Sequence, residues 1–158
     1  MKKFSWIVLF VFISRCVEPE TSGTVVAIAD GDTFTMLTPE HDQIKVRLYG
    51  IDAPEKGQDF SEASRQFLSD LIYMKKVVVT QVDTDQYGRT IGLVEVDHTS
   101  INEAMLRAGL AWHYIQFDDN SDWAHLEAEA RSSGKGLWVQ SDPVAPWNFR
   151  KKKRKHVR

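Results

Sequence analysis

Residues 24–51, TVVAIADGDTFTMLTPEHDQIKVRLYGI, read as three consecutive β-strands. Thr24–Ala29 and Thr33–Thr38 are short runs rich in Val, Ile, Thr and Phe, and Asp30-Gly31-Asp32 between them is a turn signal. Gln43–Ile51 alternates cleanly, with Ile44, Val46 and Leu48 on one face and Lys45, Arg47 and Tyr49 on the other. Arg47 therefore projects from the face opposite the core residues. Pro54 ends the run, because proline supplies no N–H to a ladder.

Downstream, Ser61–Met74 carries Ala63, Phe67, Leu71 and Met74 at helical spacing. Two further strands, Val77–Val82 and Thr90–Val96, flank the turn Asp83–Arg89 with Gly88. Ser100-Ile101-Asn102-Glu103 is a capping box that opens a second helix, which Gly109 is placed to stop. Asp122–Ser133 reads as a third helix stopped by Gly134. Strands and helices segregated in this way imply an α+β fold. Five short strands with a helix between the third and fourth match the OB-fold, a five-stranded Greek-key β-barrel, here with three α-helices. That domain is expected over residues 23–140. At 42% hydrophobic and 27% charged residues the chain lies near globular averages, so a packed core is expected.

The two ends are different material. Lys2 and Lys3 precede the apolar run Phe4–Ile13, which fits the roughly 7–15-residue core of an export signal and falls short of the about 20 residues of a membrane helix. Residues 1–16 are therefore expected to be a signal peptide, and the protein to be exported: secreted, periplasmic or surface-anchored. Cys16, the single cysteine, permits no internal disulfide. Its place after Ile13-Ser14-Arg15 partly resembles a lipoprotein signal, so a lipid anchor at Cys16 stays open, with Arg15 against it. Between Glu18 and Phe149 lie all twenty-two acidic residues against ten Lys or Arg, a balance of −12. From Arg150 to Arg158, seven of nine residues are Lys or Arg. Residues 141–158 are expected to be a solvated basic tail outside the barrel, able to hold nucleic acid or anionic lipid by charge alone.

Four places hold polar residues that strand and loop logic does not require: Asp30-Gly31-Asp32-Thr33, Arg47, Asp52-Ala53-Pro54-Glu55 and Asp85-Gln86-Tyr87-Gly88-Arg89. Singly each has a plain reading as turn, exposed strand residue, loop cap or hairpin. Together they supply what hydrolysis of a phosphodiester needs. Carboxylates such as Asp32 and Asp52 hold a hard divalent cation, and such a cation polarises the phosphate. Arg47 and Arg89 carry forked donors that match phosphate geometry. Glu55 can accept a proton from water or orient it.

On these residues the sequence resembles the staphylococcal (micrococcal) nuclease family. Val46-Arg47-Leu48, Gly50-Ile51-Asp52-Ala53-Pro54-Glu55, the Asp30–Thr33 and Asp85–Arg89 motifs, Asn102–Ala111 and Gly136-Leu137-Trp138 match its pattern in order, covering about Thr24 to Trp138. The resemblance implies a calcium-dependent endonuclease and exonuclease acting on DNA and RNA and leaving 3′-phosphate ends. It implies one Ca2+ held by Asp32, Asp52 and the Ala53 backbone carbonyl, with Arg47 and Arg89 on the phosphate and Glu55 as general base. Ala53 stands where well-known members carry Thr, and Lys56–Phe60 is shorter and less basic than the matching loop. The pair of tyrosines that stacks on a bound nucleotide has no clean counterpart; His113, Tyr114 and Phe117 lie near and are expected to pack in the core. A monomer without an obligate protein partner is expected. A non-catalytic nucleic-acid-binding barrel and a surface lipoprotein are the alternatives, and the intact Asp32, Arg47, Asp52, Glu55 and Arg89 set argues against the first.

Overall fold

The computed structural model describes residues 20–156, so the expected signal peptide and Cys16 lie outside the described residues. In chain order the elements are β1 (Glu20–Ile28), β2 (Thr33–Leu37), β3 (Gln43–Leu48), β4 (Ile51–Asp52), α1 (Ser61–Ile72), β5 (Lys76–Thr84), β6 (Thr90–Val96), β7 (Thr99–Ser100), α2 (Ile101–Arg107), β8 (Trp112–His113), α3 (Ser121–Ser132), a 3-10 turn (Gly136–Val139) and α4 (Pro146–His156).

Strand β1 pairs antiparallel with β2 on one side and β5 on the other, β2 pairs with β3, and β5 with β6. Parallel pairing of β3 with β6 closes the five strands into a barrel. The fold is the α+β OB-fold barrel read from the sequence. Its interior holds Val25, Phe34, Met36, Val46, Leu48, Val77, Val79 and Val94, covered by Leu68 and Ile72 of α1 and by Ile101, Met105 and Leu106 of α2. The alternation in residues 43–48 holds: Val46 and Leu48 are fully buried, while Arg47 faces away from that interior. Asn102 fastens α2 to the barrel from within. Its Oδ1 accepts from the Val94 N–H at 3.0 Å and its Nδ2 donates to the Tyr49 carbonyl at 2.9 Å.

Three local expectations are corrected. The third strand stops at Leu48, because Gly50 adopts φ 65° and turns the chain, so that Ile51–Asp52 pairs separately with β8. A Cβ at Gly50 would also lie 2.6 Å from the Trp123 ring. The buried face of α1 is centred on Ser64, Leu68 and Ile72, with the expected Phe67 and Leu71 packed partly buried beside it and the expected Ala63 and Met74 exposed. A polar Ser64 hid that register, yet its Oγ is satisfied by donation to the Leu110 carbonyl at 2.7 Å. Helices α1 to α3 occupy the three expected places, with Ser100 capping α2 and Asn120 capping α3. A fourth helix, α4, forms within the expected basic tail. Among the described residues no helix is long and apolar enough to cross a membrane.

Candidate active site

The turn Asp30-Gly31-Asp32 is pressed against α1. The Asp30 carboxylate accepts from the Asp32 N–H at 3.1 Å, which closes the turn. A Cβ on Gly31 would sit 1.9 Å from Ser64 Oγ and 2.8 Å from the Ala53 Cβ, so only glycine permits this approach. The consequence is an aspartate in the interior: Asp32 is 2% exposed.

Arg47 reaches Asp32 because the β2–β3 register sets Thr33 opposite Arg47. Its Nη1 donates to Asp32 Oδ1 and its Nη2 to Asp52 Oδ1, both at 2.8 Å. One guanidinium thus bridges two buried carboxylates, Asp52 being 0% exposed. The Thr33 hydroxyl also donates to Asp32 Oδ1, at 2.9 Å, and the Ala53 N–H donates to Asp32 Oδ2, at 2.8 Å. Burial pushes the Asp32 carboxyl above its ordinary range; Arg47 pulls it back and Asp30 pushes it further up. Burial works against the charged Arg47, but the carboxylates of Asp32 and Asp52 outweigh it and hold the proton more tightly than usual.

The sequence reading did not find Arg150. It stands on α4 and grips the same acids. Its Nη1 and Nη2 donate to Asp52 Oδ1 and Oδ2 at 3.1 and 2.8 Å, and Nη1 donates to Glu55 Oε1 at 2.5 Å. Aromatic packing delivers it there. Trp147 sets its edge on Trp112 with centroids 5.6 Å apart and stacks on Tyr114 at 5.0 Å and 6°. Trp112 is the direct partner of Asp52 in the β4–β8 pair. Arg150 follows Trp147 by one helical turn, which carries its guanidinium over Asp52. Two signals for this helix existed in the sequence: Pro146, suited to a first helical position, and the basic residues that follow, suited to its C-terminal end.

Arg89 lies one residue before Thr90, which pairs with Val46 beside Arg47. Its Nε donates to Asp85 Oδ2 at 2.7 Å, and its guanidinium lies 5.8 Å from the Tyr87 ring centroid. Burial alone would raise the Asp85 carboxyl; hydrogen bonds from the Arg89 N–H, the Arg89 side chain and the Tyr87 N–H outweigh it and hold it below the usual range. The structure therefore gathers Asp32, Arg47, Asp52, Ala53 and Glu55 into one cluster and keeps Arg89 on the adjoining hairpin, held by Asp85. Of the three aromatic-region residues expected in the core, His113 is buried and hydrogen-bonded to Asp118 at 2.7 Å. Phe117 corrects the expectation: it is 60% exposed, because it edges onto the half-buried Tyr114 outside the barrel.

The donor chemistry fits a hard cation. Asp32 and Asp52 offer carboxylate oxygens, and the Ala53 peptide is fixed next to them. Arg47 pairs with Asp32 and Asp52, and Arg150 with Asp52 and Glu55, while the Asp30 carboxylate accepts from the Asp32 N–H beside them. Among the described residues no group of three or more His, Cys, Asp or Glu side chains is placed to hold a metal ion, so backbone and water oxygens would have to complete the coordination of a cation here.

Comparison with known proteins places these residues in company. A family model described as staphylococcal nuclease homologue matches residues 45–140, a span that includes Arg47, Asp52, Ala53, Glu55 and Arg89. A relative from Haemophilus influenzae described as an uncharacterized endonuclease is 37% identical over 150 residues, covering 95% of this chain and 84% of the relative. Another so described, from Escherichia coli, is 38% identical over 154 residues, covering 97% of this chain and all of the relative. A protein described as micrococcal nuclease, from Shigella flexneri, is 39% identical over 140 residues, covering 82% of this chain and 80% of the relative.

Proposed function

Because the chain belongs to the staphylococcal nuclease family, we propose that it is a divalent-cation-dependent nuclease, with calcium the cation, that hydrolyses the phosphodiester bonds of DNA and RNA. The single observation that carries the reading is the Arg47 fork bridging buried Asp32 and Asp52. Two carboxylates withdrawn from water beside a permanent cation make a costly arrangement for stability alone, and an apt one for holding a cation against a phosphate.

In this reading Asp32, Asp52 and the Ala53 carbonyl hold the cation. When bound, the cation polarises the phosphate and lowers the cost of the charge that develops on it. Arg47 uses two of its five N–H donors on the aspartates and keeps the others for a phosphoryl oxygen. Arg89, steadied at Nε by Asp85, turns its two Nη groups to the same phosphate. Glu55 accepts the proton of the attacking water as oxygen attacks phosphorus. The bond between phosphorus and the 5′ oxygen breaks and the leaving oxygen takes up a proton from solvent, giving a 3′-phosphate and a 5′-hydroxyl.

Residues 1–16 direct export, and mature protein then lacks at least residues 1–15; an N-terminal mass that still includes Met1 and Phe4 overturns this. The basic residues of α4 draw a polyanion to a body that is otherwise acidic. The test of the activity is incubation of the purified protein with DNA and with RNA in calcium, magnesium or chelator. Cleavage in calcium that stops in chelator supports the reading, and no cleavage in any cation overturns it.

A further inference from the structure

The Arg150 fork covers both oxygens of a buried aspartate that the proposed function assigns to a cation. Each carboxylate oxygen has about two acceptor positions. Asp52 Oδ1 accepts from Arg47 and from Arg150, and Oδ2 accepts from Arg150. Glu55 Oε1 accepts from the same guanidinium. A divalent cation brought to Asp52 would therefore meet a like charge at hydrogen-bonding distance from its own ligand.

We propose that Arg150 is a built-in competitor of the divalent cation: it neutralises Asp52 and Glu55 in the folded chain and must withdraw from Asp52 for a cation to bind, so that α4 sets the cation affinity of the site. The inference rests on the metal reading above.

Three features make Arg150 suited to this part. It is delivered by packing, through Trp147 against Trp112 and Tyr114, so its place over Asp52 is built into the fold. The start of α4 is fixed by hydrogen bonds from the Asn148 and Phe149 N–H groups to the Ala145 carbonyl, with Ala145 buried. The Arg150 side chain nevertheless stays 29% exposed, against 18% for Arg47, so it can leave the acids for solvent or for a phosphate. Arg47 enters from the barrel wall and Arg150 from outside the barrel. Of the two guanidinium groups on Asp52, Arg150 is thus the one whose departure leaves β3 undisturbed. The pull on it is also at hand, since Lys151, Lys152, Lys153, Arg154 and Lys155 follow on the same helix and a polyanion lying along them competes with Asp52 for the arginine.

The test is calorimetric titration of the full chain with calcium alone, for wild type, Arg150→Ala and Arg150→Gln. Asp52→Asn defines the site, and Arg107→Ala removes an exposed arginine that pairs with Glu103 on its own helix, away from Asp52. Arg150→Gln retains a hydrogen-bond donor for Asp52 and guards against loss of folding in the alanine variant. Both Arg150 variants are expected to bind calcium at least about tenfold more tightly than wild type, equal to about 1.4 kcal/mol, while Arg107→Ala matches wild type. Amide exchange across residues 147–156 is expected to quicken when calcium is added to wild type. Equal or weaker calcium affinity in both Arg150 variants, with binding abolished by Asp52→Asn, overturns this inference and leaves the metal reading standing. Calcium binding that ignores Asp52→Asn, or that is absent in every protein, overturns both.

Discussion

Replacing Arg47 by alanine removes the one cation that pairs with Asp32 among the described residues. Asp52 keeps Arg150 in that variant, whereas buried Asp32 is left with the Thr33 hydroxyl and the Ala53 N–H, both neutral donors. Breaking a buried pair in this way typically costs about 3–5 kcal/mol. At about 2–4 °C per kcal/mol for a chain of this size, the melting temperature should fall by roughly 10 °C. The loss carries a pH signature. Burial already raises the folded-state pKa of Asp32, with Arg47 as the opposing charge. A carboxyl raised in this way keeps its proton longer in the folded state than in the unfolded one. Stability therefore falls as pH climbs from the unfolded value through the folded one. Without Arg47 that window reaches higher, so the deficit should be smaller at about pH 4.5 than at about pH 8. Arg47→Lys should recover only part of it, because an ammonium is a point charge and cannot bridge both aspartates as the fork does. The assay is urea unfolding followed by tryptophan fluorescence at both pH values. A deficit below about 1 kcal/mol, or one that does not change with pH, would mean that Arg47 is not the counter-charge that keeps Asp32 ionised in the interior.

Arg89→Ala should lower turnover by at least about a hundredfold, as expected for a donor aimed at transition-state charge, with little change in unfolding midpoint; a wild-type rate removes Arg89 from the site. Glu55→Gln should lose about 10²–10⁴-fold in turnover if Glu55 takes the proton. A drop below about threefold would leave Glu55 only as a partner of Arg150. Gly31→Ala must push aside Ser64 or Ala53, and overpacking of this kind costs about 1–3 kcal/mol; unfolding and activity measured together should both decline, and an unchanged unfolding curve would show that the turn accommodates a methyl group.

The barrel was legible because its strands obey period two and are bounded by Asp-Gly, Pro and Gly signals that mean the same thing locally and globally. The Val46/Leu48 face, the Ser100 cap and the Gly109 stop all fall where the pattern places them. What escaped was whatever depends on contacts distant in sequence. The buried face of α1 turns on Ser64, whose hydroxyl is satisfied by a carbonyl 46 residues away. The bridging of Asp32 and Asp52 by Arg47 needs the β2–β3 register and the turn at Gly50 together. Arg150 lies 98 residues from Asp52, at the head of a run that composition alone describes as a solvated charge block. Its placement follows from Trp147, Trp112 and the β4–β8 pair, none of which leaves a periodic trace in the sequence.

Phosphodiester hydrolysis at the Asp32–Asp52 cluster should depend on a divalent cation. Cleavage of an end-labelled single-stranded DNA by wild type and by Asp52→Asn, each in calcium and in excess chelator, tests it most directly. Wild type should cleave rapidly in calcium to give 3′-phosphate product ends, and cleavage should be lost both in chelator and in Asp52→Asn. Undiminished cleavage in chelator, or by Asp52→Asn in calcium, would contradict it.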